Sequence, residues 1–181
     1  MSISEQDTEV LILYKYNFAY FGLILLDELK IIYLWREEKV MKCEVYKLNY
    51  LKDYKYVVVI AKYHGKWVLC KHKKRDTWET AGGHIELEES PLNAAKRELF
   101  EETGAVSFDI KPIFDYWAAD ETSEANGMVF YAEIGELDNL PESEMEKVKC
   151  FETLPSNLTY KDITPKLFEY LENNFQYIFS A

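Results

Sequence analysis

The sequence has few of the residues that build a thiolate metal site or a disulfide framework. Its 181 residues include only three cysteines, Cys43, Cys70 and Cys150, which are an odd number and lie far apart. No C-x-x-C pair is present, so the pattern indicates neither a zinc site nor a secreted disulfide scaffold. We therefore expect reduced, buried or half-buried thiols in a cytoplasmic protein.

Basic residues are also scarce relative to acidic ones. The chain has 21 Lys and Arg against 32 Asp and Glu, which gives a net charge of −11. Such a surface repels polyanions, so we expect neither nucleic acid nor a membrane as a partner.

Long apolar runs are missing as well: residues 16–26 are free of charge, but a bilayer-spanning helix needs roughly 20 apolar residues. The chain also lacks the basic start and cleavage site of a signal peptide.

Residues 1–40 form an apolar N-terminal extension, and residues 41–181 have the size of one domain. One interpretation is that the extension adds one or two strands, or a helix, that pack on the domain or on a partner chain in a homodimer. The other is that residues 1–40 are not part of the natural product and that Met41 is the start. Residues 36–38, Arg-Glu-Glu, can be encoded by AGG GAG GAA, a purine-rich run of the kind that bacterial ribosomes bind. A nucleotide sequence without such a run would contradict this hypothesis.

The most informative stretch is residues 83–105, GHIELEESPLNAAKRELFEETGA. Ser90 can cap a helix, and Pro91 suits its first turn, where a missing N–H has no cost. Gly104 suits the left-handed position that ends a helix. The stretch therefore predicts a glycine turn, a short acidic loop and a helix.

Three carboxylates of this helix, those of Glu98, Glu101 and Glu102, stand at i, i+3 and i+4 and share one face. Crowded carboxylates repel one another unless a cation lies among them. Oxygen-only ligands favour Mg²⁺, with Mn²⁺ as a substitute, over zinc. A solvated acidic face would be the better interpretation of an isolated E-x-x-E-E. The Gly-Gly turn, the arginine and the closing glycine around it favour a metal site here.

The stretch resembles the Nudix box, G-x5-E-x7-R-E-U-x-E-E-x-G-U, where U is a bulky aliphatic residue. The last U position holds the smaller Ala105, and the family's usual Pro-Gly-Gly before the box is here Ala-Gly-Gly at residues 81–83. The resemblance implies an α/β fold, a Nudix-type α/β/α sandwich with a mixed β-sheet, and it points to MutT-like bacterial members. The box positions that match are Gly83, Glu89, Arg97, Glu98, Leu99, Glu101, Glu102 and Gly104.

The order of strands and helices agrees with that fold. Hydrophobic patterns predict a hairpin whose strands, residues 54–63 and 66–72, meet at a His-Gly turn. Further strands are predicted at residues 106–115, 128–134 and 148–151, with acidic loops at 118–127 and 141–147, and a final helix from 164 to about 175.

The resemblance implies roles for the residues of the box. Glu98 and Glu102 would be metal ligands, and Glu101 a ligand or a base. The main-chain carbonyl of Gly82 is a further expected ligand, and Glu89 could contact the metal through water. Arg97, four residues before Glu101, would orient these carboxylates and could also reach Glu89.

Many family members add one carboxylate from outside the box as a ligand or general base. The candidates are Glu121, Glu124, Glu144 and Glu146. We favour Glu144 and Glu146, as catalytic residues, because they precede the last strand.

A basic run at residues 71–75 lies just upstream of the box. Lys73, Lys74 and Arg75 could hold the phosphates of the substrate, although a solvated loop is an equal alternative. His84 follows the glycine turn and could bind phosphate or be exposed.

Nudix proteins typically hydrolyse a nucleoside diphosphate linked to a group X. The expected function is thus a Mg²⁺-dependent pyrophosphohydrolase that acts on a small nucleotide. The similarity to MutT-like members favours a nucleoside triphosphate, including an oxidised one such as 8-oxo-dGTP, cleaved to the monophosphate and pyrophosphate. The alternative is ADP-ribose, an NDP-sugar or another dinucleotide. ADP-ribose is disfavoured because Ala119 and Asp120 stand where its hydrolases usually carry a proline. A non-catalytic nucleotide sensor is less favoured still, because its box would usually be broken.

Overall fold

The computed structural model describes residues 23–26, 30–33 and 41–180. The chain divides into two units, residues 1–39 and 40–181. In the first unit the described residues form two short antiparallel strands, β1 (Leu23–Leu26) and β2 (Lys30–Tyr33). The rest of the predicted extension, including the hypothetical start signal at residues 36–38, lies outside the described residues.

The second unit is built on a seven-stranded sheet and two helices. The strands are β3 (Lys42–Lys47), β4 (Tyr56–Tyr63), β5 (Lys66–His72), β6 (Ala81–His84), β7 (Ala105–Ala119), β8 (Glu124–Leu137) and β9 (Met145–Phe151), and the helices are α1 (Pro91–Thr103) and α2 (Thr164–Phe179). The strand order is β3-β7-β8-β4-β5-β9, and β6 pairs with β4. Strands β4 and β8 run parallel, whereas the other pairs are antiparallel, so the sheet is mixed.

Each face of the sheet buries its own core against one helix. Alternate residues of a strand point to opposite faces, and in β4 Val57 and Val59 pack in the core that contains Leu99 of α1. Ile60 packs in the other core, with Leu167 and Phe168 of α2. The predicted α/β sandwich with a mixed sheet is confirmed.

Helix α1 begins and ends where the sequence predicts. The Ser90 hydroxyl accepts a hydrogen bond from the Asn93 N–H at 3.2 Å. Gly104 has φ 75°, and its N–H donates to the Phe100 carbonyl at 2.8 Å. A Cβ at Gly104 would lie 2.8 Å from the Asp138 carbonyl, so space as well as backbone conformation requires glycine here.

The central strands are longer than their apolar patterns predict. β7 and β8 pair as far as Ala119 and Glu124, so the predicted loop at residues 118–127 is wrong and shortens to 120–123. Backbone pairing continues there although the side chains are polar. Helix α2 reaches Phe179, and strand β3 was not predicted. Among the described residues, neither helix is long and apolar enough to cross a membrane.

Candidate active site

Helix α1 carries its three carboxylates along the border between core and solvent. Glu98 and Glu102 are 9% and 5% exposed, whereas the Glu101 side chain is 47% exposed. The apolar neighbour Leu99 is fully buried against the sheet. The packing of α1 thus takes two carboxylates into the interior and leaves the third at the surface.

The Arg97 guanidinium joins the acidic residues of this helix to the preceding loop. Its Nη1 donates to Glu98 Oε1 at 2.8 Å and to Glu101 Oε2 at 3.3 Å. Its Nε and Nη2 donate to the two oxygens of Glu89 at 3.0 and 2.9 Å, and Nη2 also donates to the His84 carbonyl at 3.1 Å. The hydrogen bond from Arg97 lowers the pKa of Glu89, and the bond to Glu89 contributes most to raising the pKa of Arg97. One fixed fork of donors therefore sets the positions of three carboxylates.

Each of the two glycines of β6 allows a different neighbour to approach this strand closely. The Gly82 N–H donates to Glu102 Oε2 at 2.9 Å. A Cβ at Gly83 would lie 2.2 Å from Glu98 Oε1, and a Cβ at Gly82 would lie 2.4 Å from the Val57 carbonyl. Gly83 therefore makes room for a carboxylate, whereas Gly82 makes room for the neighbouring strand.

The buried carboxylates favour a bound cation. Burial raises the pKa of Glu102 to about 8; the Gly82 N–H opposes the shift, and the charges of Glu98, Glu79 and Glu144 add to it. Burial also raises the pKa of Glu98, against the effect of Arg97. A hard divalent ion would relieve this crowding of negative charge.

No three His, Cys, Asp or Glu side chains in the described residues form a ready-made metal centre. Mg²⁺ is usually held by one or two carboxylates and completes its shell with water and substrate phosphates. Glu98, Glu101 and Glu102 all lie on α1 and stay the ligands that the resemblance predicts.

A cavity of ≈ 530 Å³ opens beside Glu102 and runs toward the β7–β8 turn. This volume lies within the range of small-molecule sites. The Tyr56 and His84 rings contact each other at 4.2 Å between centroids, and both line the cavity together with Tyr116 and Tyr160. The cavity is thus acidic at one end and aromatic along its walls.

The structure distinguishes among the four candidate carboxylates outside the box. Glu124 and Glu144 line the cavity, and the charge of Glu144 raises the pKa of both Glu98 and Glu102. Glu146 instead forms an ion pair with Lys71 at 3.0 Å, and Glu121 is exposed in the turn at residues 120–123.

The residues predicted to bind phosphate also differ in whether they line the cavity. Arg75 lines the cavity, as does His84, and Arg75 Nη1 pairs with Glu79 Oε2 at 2.9 Å. Lys73 Nζ donates to the Ser143 carbonyl at 2.6 Å, and Lys74 is exposed. Arg75 and His84 therefore line the cavity, whereas Lys73 and Lys74 do not.

Two residues near the box were missed by sequence reasoning. Glu79 is 4% exposed and lines the cavity. Cys70 is fully buried, and its Sγ lies 3.8 Å from Glu102 Oε2. The spacing of Glu79, four residues after Arg75 and four before Gly83, was the signal available for it. No local pattern could have placed Cys70 beside Glu102.

A helix of carboxylates behind a glycine strand, on a mixed sheet between two helices, is the arrangement that the resemblance of residues 83–105 implies. A model of the NUDIX domain matches residues 53–172. The chain belongs to the Nudix family, whose members generally depend on divalent metals and act on small nucleotides. The predicted family and enzyme class are confirmed.

The proteins to which the chain is similar have several different names. The chain is 33% identical over 106 residues to a Bacillus subtilis (strain 168) protein named "Putative 8-oxo-dGTP diphosphatase YtkD"; the match covers 58% of this chain and 66% of that protein, just under two thirds. The fold resembles that of a mutant of the Bacillus subtilis pyrophosphohydrolase BsRppH, with a TM-score of 0.65, 24% identity, and coverage of 76% of this chain and 92% of that chain. It also resembles a UDP-X diphosphatase, with a TM-score of 0.54, 24% identity, and coverage of 70% and 64%.

Proposed function

We propose that this chain is a Mg²⁺-dependent pyrophosphohydrolase that cleaves a nucleoside triphosphate, including an oxidised one such as 8-oxo-dGTP, to the monophosphate and pyrophosphate. The observation that carries the proposal is an intact box whose buried Glu102 carboxylate lines a nucleotide-sized cavity. The name of the Bacillus subtilis relative supports the choice of substrate. Mn²⁺ would substitute for Mg²⁺, and the location would be the cytoplasm.

Glu98 and Glu102 would hold the metal, with Glu101, the Gly82 carbonyl and a water-mediated contact from Glu89 completing the set. When bound, the ion neutralises the diphosphate and lowers the pKa of a bound water. Arg97 keeps the carboxylates in place, because its guanidinium hydrogen-bonds to Glu89, Glu98 and Glu101 at once.

Glu144 is the proposed general base from outside the box. A base must first reach the proton that it removes, and Glu144 lines the cavity and acts electrostatically on Glu98 and Glu102. Glu146 is less suited, because it is paired with Lys71. Glu79 is less suited as well, because Arg75 occupies one of its oxygens.

Arg75 and His84 are the proposed contacts to the phosphates, since both line the cavity. A nucleoside would then extend from the acidic end toward the aromatic walls formed by Tyr56 and Tyr116. Lys73 and Lys74 would act on the substrate only through their long-range positive charge.

The variant Glu102→Gln tests the proposal. It removes the charge that holds the ion but keeps the size of the side chain, so Mg²⁺-dependent release of pyrophosphate should fall by about 100-fold or more. Glu136→Gln, an exposed change on β8, is the control, and thermal unfolding shows whether both variants are folded. Unchanged turnover in Glu102→Gln would refute the metal assignment.

A substrate panel tests the choice of nucleotide. Nucleoside triphosphates, 8-oxo-dGTP, ADP-ribose, NDP-sugars and dinucleotides are compared by kcat/KM, with release of phosphate or pyrophosphate as the signal. A clear preference for ADP-ribose or an NDP-sugar would support the alternative substrate class. Tight nucleotide binding without turnover would support a sensor.

A further inference from the structure

The thiol of Cys70 lies directly behind the carboxylate of Glu102. Cys70 is in β5 and is 0% exposed. Its backbone is fixed by two hydrogen bonds of 2.9 Å with Glu79, one from each N–H to the other carbonyl. The thiol of a free cysteine can act as a weak hydrogen-bond donor.

Two acceptors lie within reach of this proton. Sγ is 3.4 Å from the Glu79 carbonyl oxygen and 3.8 Å from Glu102 Oε2. The carbonyl already accepts the N–H of Cys70 itself, whereas Glu102 Oε2 belongs to a carboxylate, and an ionised acceptor forms the stronger bond. Donation to Glu102 is therefore the favoured arrangement whenever this carboxylate is ionised.

Glu102 Oε2 then has donors from two different strands. The Gly82 N–H approaches it from β6 at 2.9 Å, and the Cys70 thiol approaches it from β5. Within residues 41–180, the hydrogen bonds found to Glu102 both fall on Oε2. Two donors on one oxygen restrict the rotation of the carboxylate, and neither of them occupies Oε1.

We propose that Cys70 is a positioning residue, whose thiol holds the Glu102 carboxylate in the orientation that binds the divalent ion. This inference rests on the metal role of Glu102 in the proposed function. Partners that hydrogen-bond to metal ligands in this way commonly set the affinity for the metal. The other buried cysteine, Cys43, lies in the core on the opposite sheet face and provides a matched control.

The experiment measures Mn²⁺ binding without substrate, by the electron paramagnetic resonance signal of free Mn²⁺. Cys70→Ala and the nearly isosteric Cys70→Val remove the donor, and Cys70→Ser keeps one. We expect the Kd for Mn²⁺ to rise about three- to tenfold in the first two, below the roughly 10- to 100-fold of stronger outer partners because S–H is a weak donor. Cys70→Ser and the control Cys43→Ala should stay within about twofold of wild type.

The outcomes distinguish a role of the Cys70 thiol in orienting Glu102 from a role in packing alone. Wild-type affinity in both Cys70→Ala and Cys70→Val overturns the inference, and so does an equal loss in Cys70→Ser, because that variant keeps a hydrogen-bond donor. Thermal unfolding identifies a variant that fails to fold, and the remaining donor-free variant then decides. Under saturating Mg²⁺, Cys70→Val should recover most of the wild-type kcat, because the effect is on metal affinity.

The same measurements distinguish this inference from the proposed function. If the protein hydrolyses no nucleotide but the donor-free variants bind Mn²⁺ more weakly, the proposed function is wrong and the inference stands. Normal hydrolysis with unchanged Mn²⁺ binding in those variants would remove only the inference. A wild-type protein that binds no Mn²⁺ contradicts both.

Discussion

Substitution of Gly83 by alanine should lower activity much more than it lowers the stability of the fold. The new Cβ would lie 2.2 Å from Glu98 Oε1, and this distance must open to at least 3.0 Å. Glu98 can yield, because its carboxylate is the far end of a flexible side chain. The main loss of stability would come from the 2.8 Å ion pair with Arg97 and should be about 1 kcal/mol. The catalytic loss should be much larger, about 100-fold in kcat, because a displacement of about 1 Å at a reacting centre costs that much.

Gly82→Ala serves as the comparison, because its main effect should be a large loss of stability. Its Cβ would lie 2.4 Å from the Val57 carbonyl, and this backbone atom cannot move without opening the β4–β6 pairing. We expect a loss of about 3 kcal/mol or more. Gly135→Ala on β8, where the nearest atom is Ser107 Oγ at 3.3 Å, is the control.

Pyrophosphate release with Mg²⁺ and urea unfolding are measured on all three glycine variants. Turnover in Gly83→Ala within about threefold of wild type, a difference too small to indicate a lost transition-state interaction, would refute the argument that Glu98 must occupy this position. So would a loss of stability in Gly83→Ala as large as that in Gly82→Ala.

Three further predictions follow from the same contacts. Glu144→Gln should lower kcat by about 100-fold, whereas Glu146→Gln should leave it nearly unchanged; the reverse order in the hydrolysis assay would assign the base to Glu146. Arg97→Lys cannot reproduce the fork of hydrogen bonds, so urea unfolding should show a loss of about 2 kcal/mol, and equal stability would contradict the bridging role. Asp120 has its pKa lowered from 3.8 to about 2 by hydrogen bonds, first from the Thr122 N–H. A lowered folded-state pKa stabilises the protein above about pH 3.8, and this stabilisation is lost as the pH falls to about 2, so Asp120→Ala should lose less stability over that interval than wild type.

The helix of the box could be predicted to the residue because its signals are local. Ser90 and Gly104 each act through a hydrogen bond within four residues, and such contacts are encoded in the adjacent sequence. The ends of β7 and β8 could not be predicted in this way. Ala118 pairs with Ala125 and Ala119 with Glu124, so these residues are strands because of their partners and not because of an apolar pattern.

The residues of the site also divide into those that the local sequence predicts and those that it does not. The shared face of Glu98, Glu101 and Glu102 follows from the roughly 3.6 residues per turn of a helix, and the structure has that face. The residues that hold Glu102 come instead from two other strands. Cys70 is 32 positions away in sequence and meets Glu102 only because the sheet packs under α1. Nothing in the spacing of Cys70 could indicate this contact.

The proposed choice of Glu144 over Glu146 depends on a small structural detail. The two glutamates are two residues apart in the predicted acidic loop at residues 141–147, so the sequence does not distinguish between them. The structure distinguishes them by a bulge. His72 of β5 pairs with Met145, while Lys71 pairs with Lys147, so Glu146 is the extra residue in the ladder. A bulge redirects the side chain that it inserts, and Glu146 meets Lys71 Nζ. Glu144, which precedes the bulge, lines the cavity beside the box.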